Sequence, residues 1–140
     1  MRGAALHHIS IPVADVDRSR GFYRDVLGLH EIERPPFDFP GAWFTLGDGE
    51  LHLIGEPQDP TFREEKPLDA GDVHFAVRVE SYDDTLGYLE SRGYRTDHDV
   101  LHPQAMIARP QPVTGYPQIY ILDPDRHVIE INAAPRPRVP

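Results

Sequence analysis

The stretch Leu6-His7-His8-Ile9-Ser10-Ile11-Pro12-Val13 alternates apolar and polar side chains. This alternation is typical of a β-strand with one buried face. A second stretch, Val73-His74-Phe75-Ala76-Val77-Arg78-Val79, has the same pattern in the other half of the chain. In each stretch a histidine, His8 or His74, lies on the face opposite the bulky apolar residues, which we expect to pack beneath a helix.

The residues after each stretch repeat one order of elements. After the first we expect a helix over 17–27 with its C-cap at Gly28, a hairpin turn at 47–49, and strands over 30–34, 42–46 and 50–55. After the second, Ser81 begins a helix that ends before Gly93. Strands are then expected at 94–98, 106–109, 118–122 and 128–132, where the third continues or replaces the second. The sequence predicts one α+β domain over 1–140, built from two tandem βαβββ modules at about 6–56 and 71–132.

Composition limits the chemistry. The 140 residues include no cysteine and carry a net charge of −9. A thiol nucleophile, a disulfide framework and a thiolate metal site are therefore excluded. The acidic balance argues against nucleic acid, and no apolar run reaches the ~18 residues of a membrane span. We predict a cytoplasmic protein that binds neither nucleic acid nor membrane, and whose partner is a small-molecule substrate.

Four residues with metal-binding side chains fall at matched positions in the two halves. Two lie in the first strand of each half and two in the last, and each is opposite the bulky apolar residues of its strand: His8, His52, His74 and Glu130. We expect the two sheets to form one cupped, mixed sheet with these side chains inside. Imidazole and carboxylate suit a divalent Zn, Ni, Co, Fe or Mn ion. The other histidines are predicted to be structural (His7, facing away from His8) or solvated (His30, His98, His102 and His127).

Particular motifs resemble the vicinal oxygen chelate superfamily, which includes glyoxalase I, bleomycin-resistance proteins and extradiol dioxygenases. The opening motif spans residues 8–29 and contains Phe22-Tyr23 and Val26-Leu27-Gly28-Leu29. The closing motif is Asp123-Pro124-Asp125, followed by Ile129-Glu130. Within the superfamily, Gly41-Ala42-Trp43-Phe44 with Leu51-His52-Leu53-Ile54 resembles the small glyoxalase-I-like proteins.

This resemblance implies paired modules cupped around a metal ion, a homodimer, and metal ligands at His8, His52, His74 and Glu130. Two positions depart from the family pattern. Glyoxalase I usually has Glu or Gln where this chain has His52, and the closing turn usually has Gly where Arg126 stands. If that turn requires a positive φ, Arg126 is strained.

Three functions are compatible with these residues. The first is a metal-dependent lyase or isomerase acting through an enediolate-like intermediate, with Glu130 as candidate base and Tyr120 as candidate acid or hydrogen-bond donor. The second is a non-haem Fe(II) extradiol-type dioxygenase with Tyr120 assisting, but Gln111 stands near the place of its usual second histidine. The third is a drug-binding resistance protein, although such proteins generally lack the metal ligands.

Overall fold

The computed structural model describes residues 1–135, which divide into two compact units, residues 1–62 and a second that begins at Arg63. Within these residues, each unit contains one four-stranded mixed sheet. No helix in residues 1–135 is long and apolar enough to cross a membrane. The predicted α+β class and the βαβββ order are confirmed.

The first unit begins with strand β1 (His8–Val13), which leads into helix α1 (Val16–Gly21). Asp15 caps α1 by accepting a hydrogen bond from the backbone N–H of Arg18 at 3.0 Å. The helix continues as a π-helical turn, Phe22–Val26, and ends before Gly28, whose φ of +68° confirms the predicted C-cap.

Three more strands complete the first sheet. They are β2 (Glu31–Ile32), β3 (Gly41–Leu46) and β4 (Gly49–Gly55), in the spatial order β1-β4-β3-β2. β1 and β4 are parallel, and the other pairs are antiparallel. One face is buried together with α1, and its fully buried side chains include Val13, Phe44, Leu51 and Leu53. The opposite face carries the polar side chains of His8, Ser10, Glu50 and His52, together with Pro12, Trp43 and Ile54.

The second unit repeats this arrangement. Strand β5 (His74–Val79) is followed by helix α2 (Tyr82–Ser91), whose N-cap Ser81 accepts from the backbone N–H of Asp84. Strands β6 (Ile107–Arg109), β7 (Gln118–Leu122) and β8 (Val128–Ala133) then form a sheet in the order β5-β8-β7-β6. Again the first and last strands are parallel. The structure thus contains both strands that the sequence left as alternatives, at 107–109 and 118–122.

Two local expectations are wrong. Residues 94–98 form no strand, and only a single parallel bridge joins Arg95 to Ala105. Val73 was expected beneath a helix but is 86% exposed, because β5 starts one residue later, at His74. The alternation of side chains predicts the buried face only inside a strand. Which residue begins the strand depends on its pairing with the neighbouring strand.

The closing turn contains the strained arginine that the sequence suggested. Arg126 has φ +67°, and its backbone N–H donates to Asp123 O at 2.9 Å. Its side-chain Nε donates to Lys66 O at 2.8 Å, and its own carbonyl accepts from Arg63. These bonds tie residues 63–66 to the turn between β7 and β8, which explains how a non-glycine residue is held in this conformation.

Two glycines provide a test of packing. A Cβ on Gly55 would lie 2.6 Å from Val16 Cγ2 and 3.0 Å from Pro40 Cβ. Gly55→Ala should therefore lower the free energy of unfolding by about 1–3 kcal/mol through overpacking. Gly87 lies inside α2, and a Cβ added there would meet nothing within 4 Å. Gly87→Ala should raise stability by about 0.5–1 kcal/mol. Urea unfolding would measure both, and equal effects of the two substitutions would contradict this packing.

Burial of Tyr94 should make the folded protein less stable at alkaline pH. Burial raises the pKa of Tyr94 to about 12, from its ordinary value of 10.0. The unfolded chain ionises first, so the stability from burying the neutral phenol is complete below pH 10 and is lost between pH 10 and about 12. We expect Tyr94→Phe to remove up to about 2 kcal/mol of this pH dependence.

Urea unfolding at about pH 9 and about pH 11.5, on either side of the ordinary tyrosine pKa, measures the effect of Tyr94. The control is Tyr88→Phe, because Tyr88 is 41% exposed. If Tyr94→Phe loses as much stability as the wild type between these two pH values, the burial of Tyr94 does not set the limit.

Candidate metal-binding and catalytic site

The polar face of the first sheet holds both candidate ligands of that unit. Strand register pairs Ser10 with His52 and His8 with Glu50, so these four side chains share one face. The rings of His8 and His52 stack with centroids 4.3 Å apart and an angle of 14° between planes. His8 is exposed, whereas His52 is 6% exposed. The structure therefore brings together the two ligand residues predicted in this unit.

His52 is held from two further directions. The ring of Trp43 lies 3.8 Å from that of His52 and is parallel to it within 2°. Glu50 Oε2 lies 2.7 Å from His52 Nε2. Because a carboxylate accepts, Nε2–H donates to Glu50 and Nδ1 keeps the lone pair available for a metal ion. Glu50 was not among the predicted site residues, although its position two residues before His52 in one strand places both on the same face.

His7 does not behave as predicted. We expected it to face away from His8 as a structural residue, but His7 Nδ1 lies 2.8 Å from His8 Nδ1. The prediction was wrong because β1 begins at His8, so the alternation of the strand does not extend to His7. His7 therefore joins the polar cluster of the first unit.

A cavity of about 260 Å³ borders the same face. Three of its lining residues, Ser10, Pro12 and Ile54, share the face of His52 by register. Asp59 and Thr61 add polar groups from the segment that follows β4. The first unit thus has a cavity large enough for a small molecule on the sheet face that carries His52.

In the second unit the candidate carboxylate is buried and well supported. Glu130 is 6% exposed. Its Oε1 accepts from Gln118 Nε2 at 2.7 Å and from Asn132 Nδ2 at 3.1 Å, while Oε2 lies 3.2 Å from His74 Nε2. Burial opposes ionisation, but the hydrogen bonds from Gln118, Asn132 and His74 outweigh it and lower the pKa of Glu130. Glu130 is therefore an ionised carboxylate at neutral pH.

The tautomer of His74 bears on metal binding. His74 Nδ1 lies 2.7 Å from the carbonyl oxygen of Asp72, which can only accept, so Nδ1 carries a proton. The other nitrogen, Nε2, faces the carboxylate oxygen of Glu130: with a proton it donates a hydrogen bond to that oxygen, and without one it is a second acceptor. Two acceptors at this distance require a proton or a cation between them. Two ligands of one Zn²⁺ ion, each bound at about 2.0–2.2 Å, come similarly close.

Tyr120 stands directly across from Glu130 in the β7–β8 ladder. The side chain is 3% exposed and its OH accepts from Gln118 Nε2 at 3.0 Å. Its ring meets that of His74 edge-on, with centroids 5.6 Å apart. Burial and the nearby carboxylate of Glu130 raise the pKa of Tyr120, so its hydroxyl stays protonated. The predicted position of Tyr120 on the face of His74 and Glu130 is consistent with this geometry.

The four predicted ligands thus occur as two pairs, His8 with His52 and His74 with Glu130. No cluster of three or more His, Asp or Glu side chains poised for a metal ion occurs within residues 1–135. The donor groups, two imidazoles in the first pair and an imidazole with an ionised carboxylate in the second, fit a divalent ion. Two other histidines, His98 and His102, lie between α2 and β6, and their rings stack with centroids 3.8 Å apart.

Comparison with known proteins agrees with this architecture. The family model described as Glyoxalase/Bleomycin resistance protein/Dioxygenase superfamily matches residues 5–131. A relative from Arabidopsis thaliana named Glyoxylase I 4 is 31% identical over 139 residues, covering 97% of this chain and 75% of its own.

Two solved structures share the fold. A Bacillus anthracis protein assigned to the glyoxalase family has a TM-score of 0.71 at 22% identity, covering 95% of this chain and 98% of its own. Lactoylglutathione lyase from Agrobacterium tumefaciens has a TM-score of 0.67 at 20% identity, covering 96% of each chain. With the family model matching nearly its whole length, the chain belongs to the glyoxalase/bleomycin resistance protein/dioxygenase superfamily.

Proposed function

We propose that this chain is a divalent-metal-dependent lyase or isomerase of the glyoxalase I type. Its substrate would be a small molecule with two neighbouring oxygens, converted through an enediolate-like intermediate. The observation that supports this most strongly is the ionised, buried Glu130 beside His74 and opposite the protonated Tyr120. A base and a hydrogen-bond donor on one face are the two groups that proton transfer next to a carbonyl requires.

The metal ion would be held by His8, His52, His74 and Glu130. When bound, it supplies a positive charge that polarises the substrate oxygens and stabilises the negative charge that develops on them. Two features support this ligand set. His52 Nδ1 has a lone pair available for a metal ion, and His74 Nε2 and Glu130 Oε2 face each other. Glu50 would orient the His52 ring through its hydrogen bond to Nε2.

The proton would move between the substrate carbon and Glu130. Gln118 and Asn132 stabilise the charged carboxylate, so it is ready to accept a proton at neutral pH. Tyr120 keeps its proton because burial raises the pKa of its phenol, and its OH can donate to a substrate oxygen. The family resemblance further leads us to propose a homodimer, and the sequence composition leads us to propose that it acts in the cytoplasm.

Elemental analysis of purified protein tests the metal assignment. We expect about one divalent ion per chain after loading with Zn, Ni or Co, and at least a roughly tenfold loss of affinity in His52→Ala and in Glu130→Gln. The control is His102→Ala, since His102 stacks on His98 and its Nδ1 accepts from the backbone N–H of Gln104. A wild-type protein that binds no ion, or a control that loses it equally, would contradict the assignment. Stoichiometric iron with O₂ uptake on a catechol would instead indicate a dioxygenase.

Turnover of methylglyoxal with glutathione tests the reaction. Glu130→Gln should reduce kcat by roughly 100-fold or more, because the amide cannot accept the proton. Tyr120→Phe should reduce kcat by about 10–100-fold with metal content unchanged, because the hydrogen bond to the substrate is lost while Glu130 keeps its bonds from Gln118 and Asn132. If the metal-loaded wild type is inactive, or if Tyr120→Phe is as active as the wild type, the proposed roles are wrong.

A further inference from the structure

A row of four polar side chains crosses the second sheet next to Glu130. The register pairs Arg78 with Asn132, Asn132 with Gln118, and Gln118 with Arg109, so one residue from each strand lies on the same face. We call these four residues the arginine row. The next row contains Glu130 and Tyr120, two residues along their strands and therefore about 7 Å away.

The two arginines at the ends of this row lack acidic partners. Arg20, Arg24 and Arg63 each form an ion pair with a carboxylate. Within residues 1–135, Arg78 and Arg109 form no such pair, and both are exposed. The chain carries a net charge of −9, yet no carboxylate in the described part of the chain neutralises either of these two guanidinium groups on this sheet face.

Each of these arginines is instead placed over a tyrosine ring. Arg78 Cζ lies 5.1 Å from the centroid of Tyr116, and Arg109 Cζ lies 5.4 Å from that of Tyr120. A cation–π contact restricts the side chain and leaves guanidinium N–H groups available to an anion. Between the two arginines, the amide groups of Gln118 and Asn132 hold Glu130 Oε1. Glu130 is thereby tied to the same row.

We propose that the arginine row binds a carboxylate group of the substrate. This inference rests on the proposed function, since it assumes that the bound molecule is a substrate. That substrate would be an organic acid that also carries the two neighbouring oxygens. The planar guanidinium group matches a carboxylate through two parallel N–H···O bonds. The positive ends of the row offset the repulsion that an anion meets from an acidic protein. Carboxylate binding about 7 Å from Glu130 would also place the reacting carbons beside the base.

Titration of metal-free protein with succinate tests the row without requiring catalysis. Amide and arginine Nε–H NMR signals should show saturable binding in the millimolar range. Arg78→Gln and Arg109→Gln should each weaken binding about tenfold, which corresponds to the loss of one charge-assisted hydrogen bond. The double variant should show no saturation. Dimethyl succinate, which lacks the charges, should not bind.

The matched control is Arg92→Gln. Arg92 also lies over a tyrosine ring, with its Cζ 6.0 Å from the centroid of Tyr88, but it follows α2 and is not part of the arginine row. Its Kd for succinate should stay within about twofold of the wild type. An equal loss in Arg92→Gln, or no saturable binding by a wild type whose fold is intact by circular dichroism, would overturn the proposal. Preference for inorganic phosphate over succinate would also overturn it, because the row would then select a tetrahedral anion.

The outcomes separate the two proposals. Succinate binding that depends on Arg78 and Arg109, in a protein that binds no metal and turns over no dicarbonyl, would support the arginine row and refute the proposed enzyme. Metal binding and turnover without succinate binding would support the proposed enzyme and refute the arginine row.

Discussion

The parallel pairing of the first and last strand in each unit is the constraint on which the candidate site depends. It places residues from opposite ends of a module in adjacent strands, and the two-residue period then puts their side chains on one face. Ser10 therefore adjoins His52, and Ala76 adjoins Glu130. A shift of one residue in either pairing would turn His52 or Glu130 beneath the sheet, among the apolar side chains.

The two units use this shared plan differently. His52 and Glu130 occupy corresponding positions in the last strands, and the residues paired across from them are Trp43 and Tyr120. In the first unit an aromatic ring stacks on an imidazole, which fixes its orientation. In the second unit a phenol and two amides surround a carboxylate, which keeps it charged. The first unit is thus suited to holding a metal-binding imidazole ring in place, and the second unit is suited to proton transfer.

Burying the carboxylate of Glu130 costs free energy unless its oxygens are satisfied. Gln118, Asn132 and His74 provide that compensation, and the first two also belong to the arginine row. These three residues form one hydrogen-bonded network around the candidate base, and Gln118 and Asn132 place it in the row that also contains the two arginines. Its residues lie in three strands, so the network exists only once the second sheet has formed.

Local sequence patterns were enough to identify most of the elements and the four candidate ligands, because alternation and glycine positions depend on neighbouring residues alone. The positive φ at Arg126 was suggested by the family resemblance, since the closing motif normally has glycine there. The missing strand at 94–98, the contact between His7 and His8, and the arginine row could not be read in this way. Each depends on which strand pairs with which and at what register, and that is set by burying the apolar faces of distant segments together.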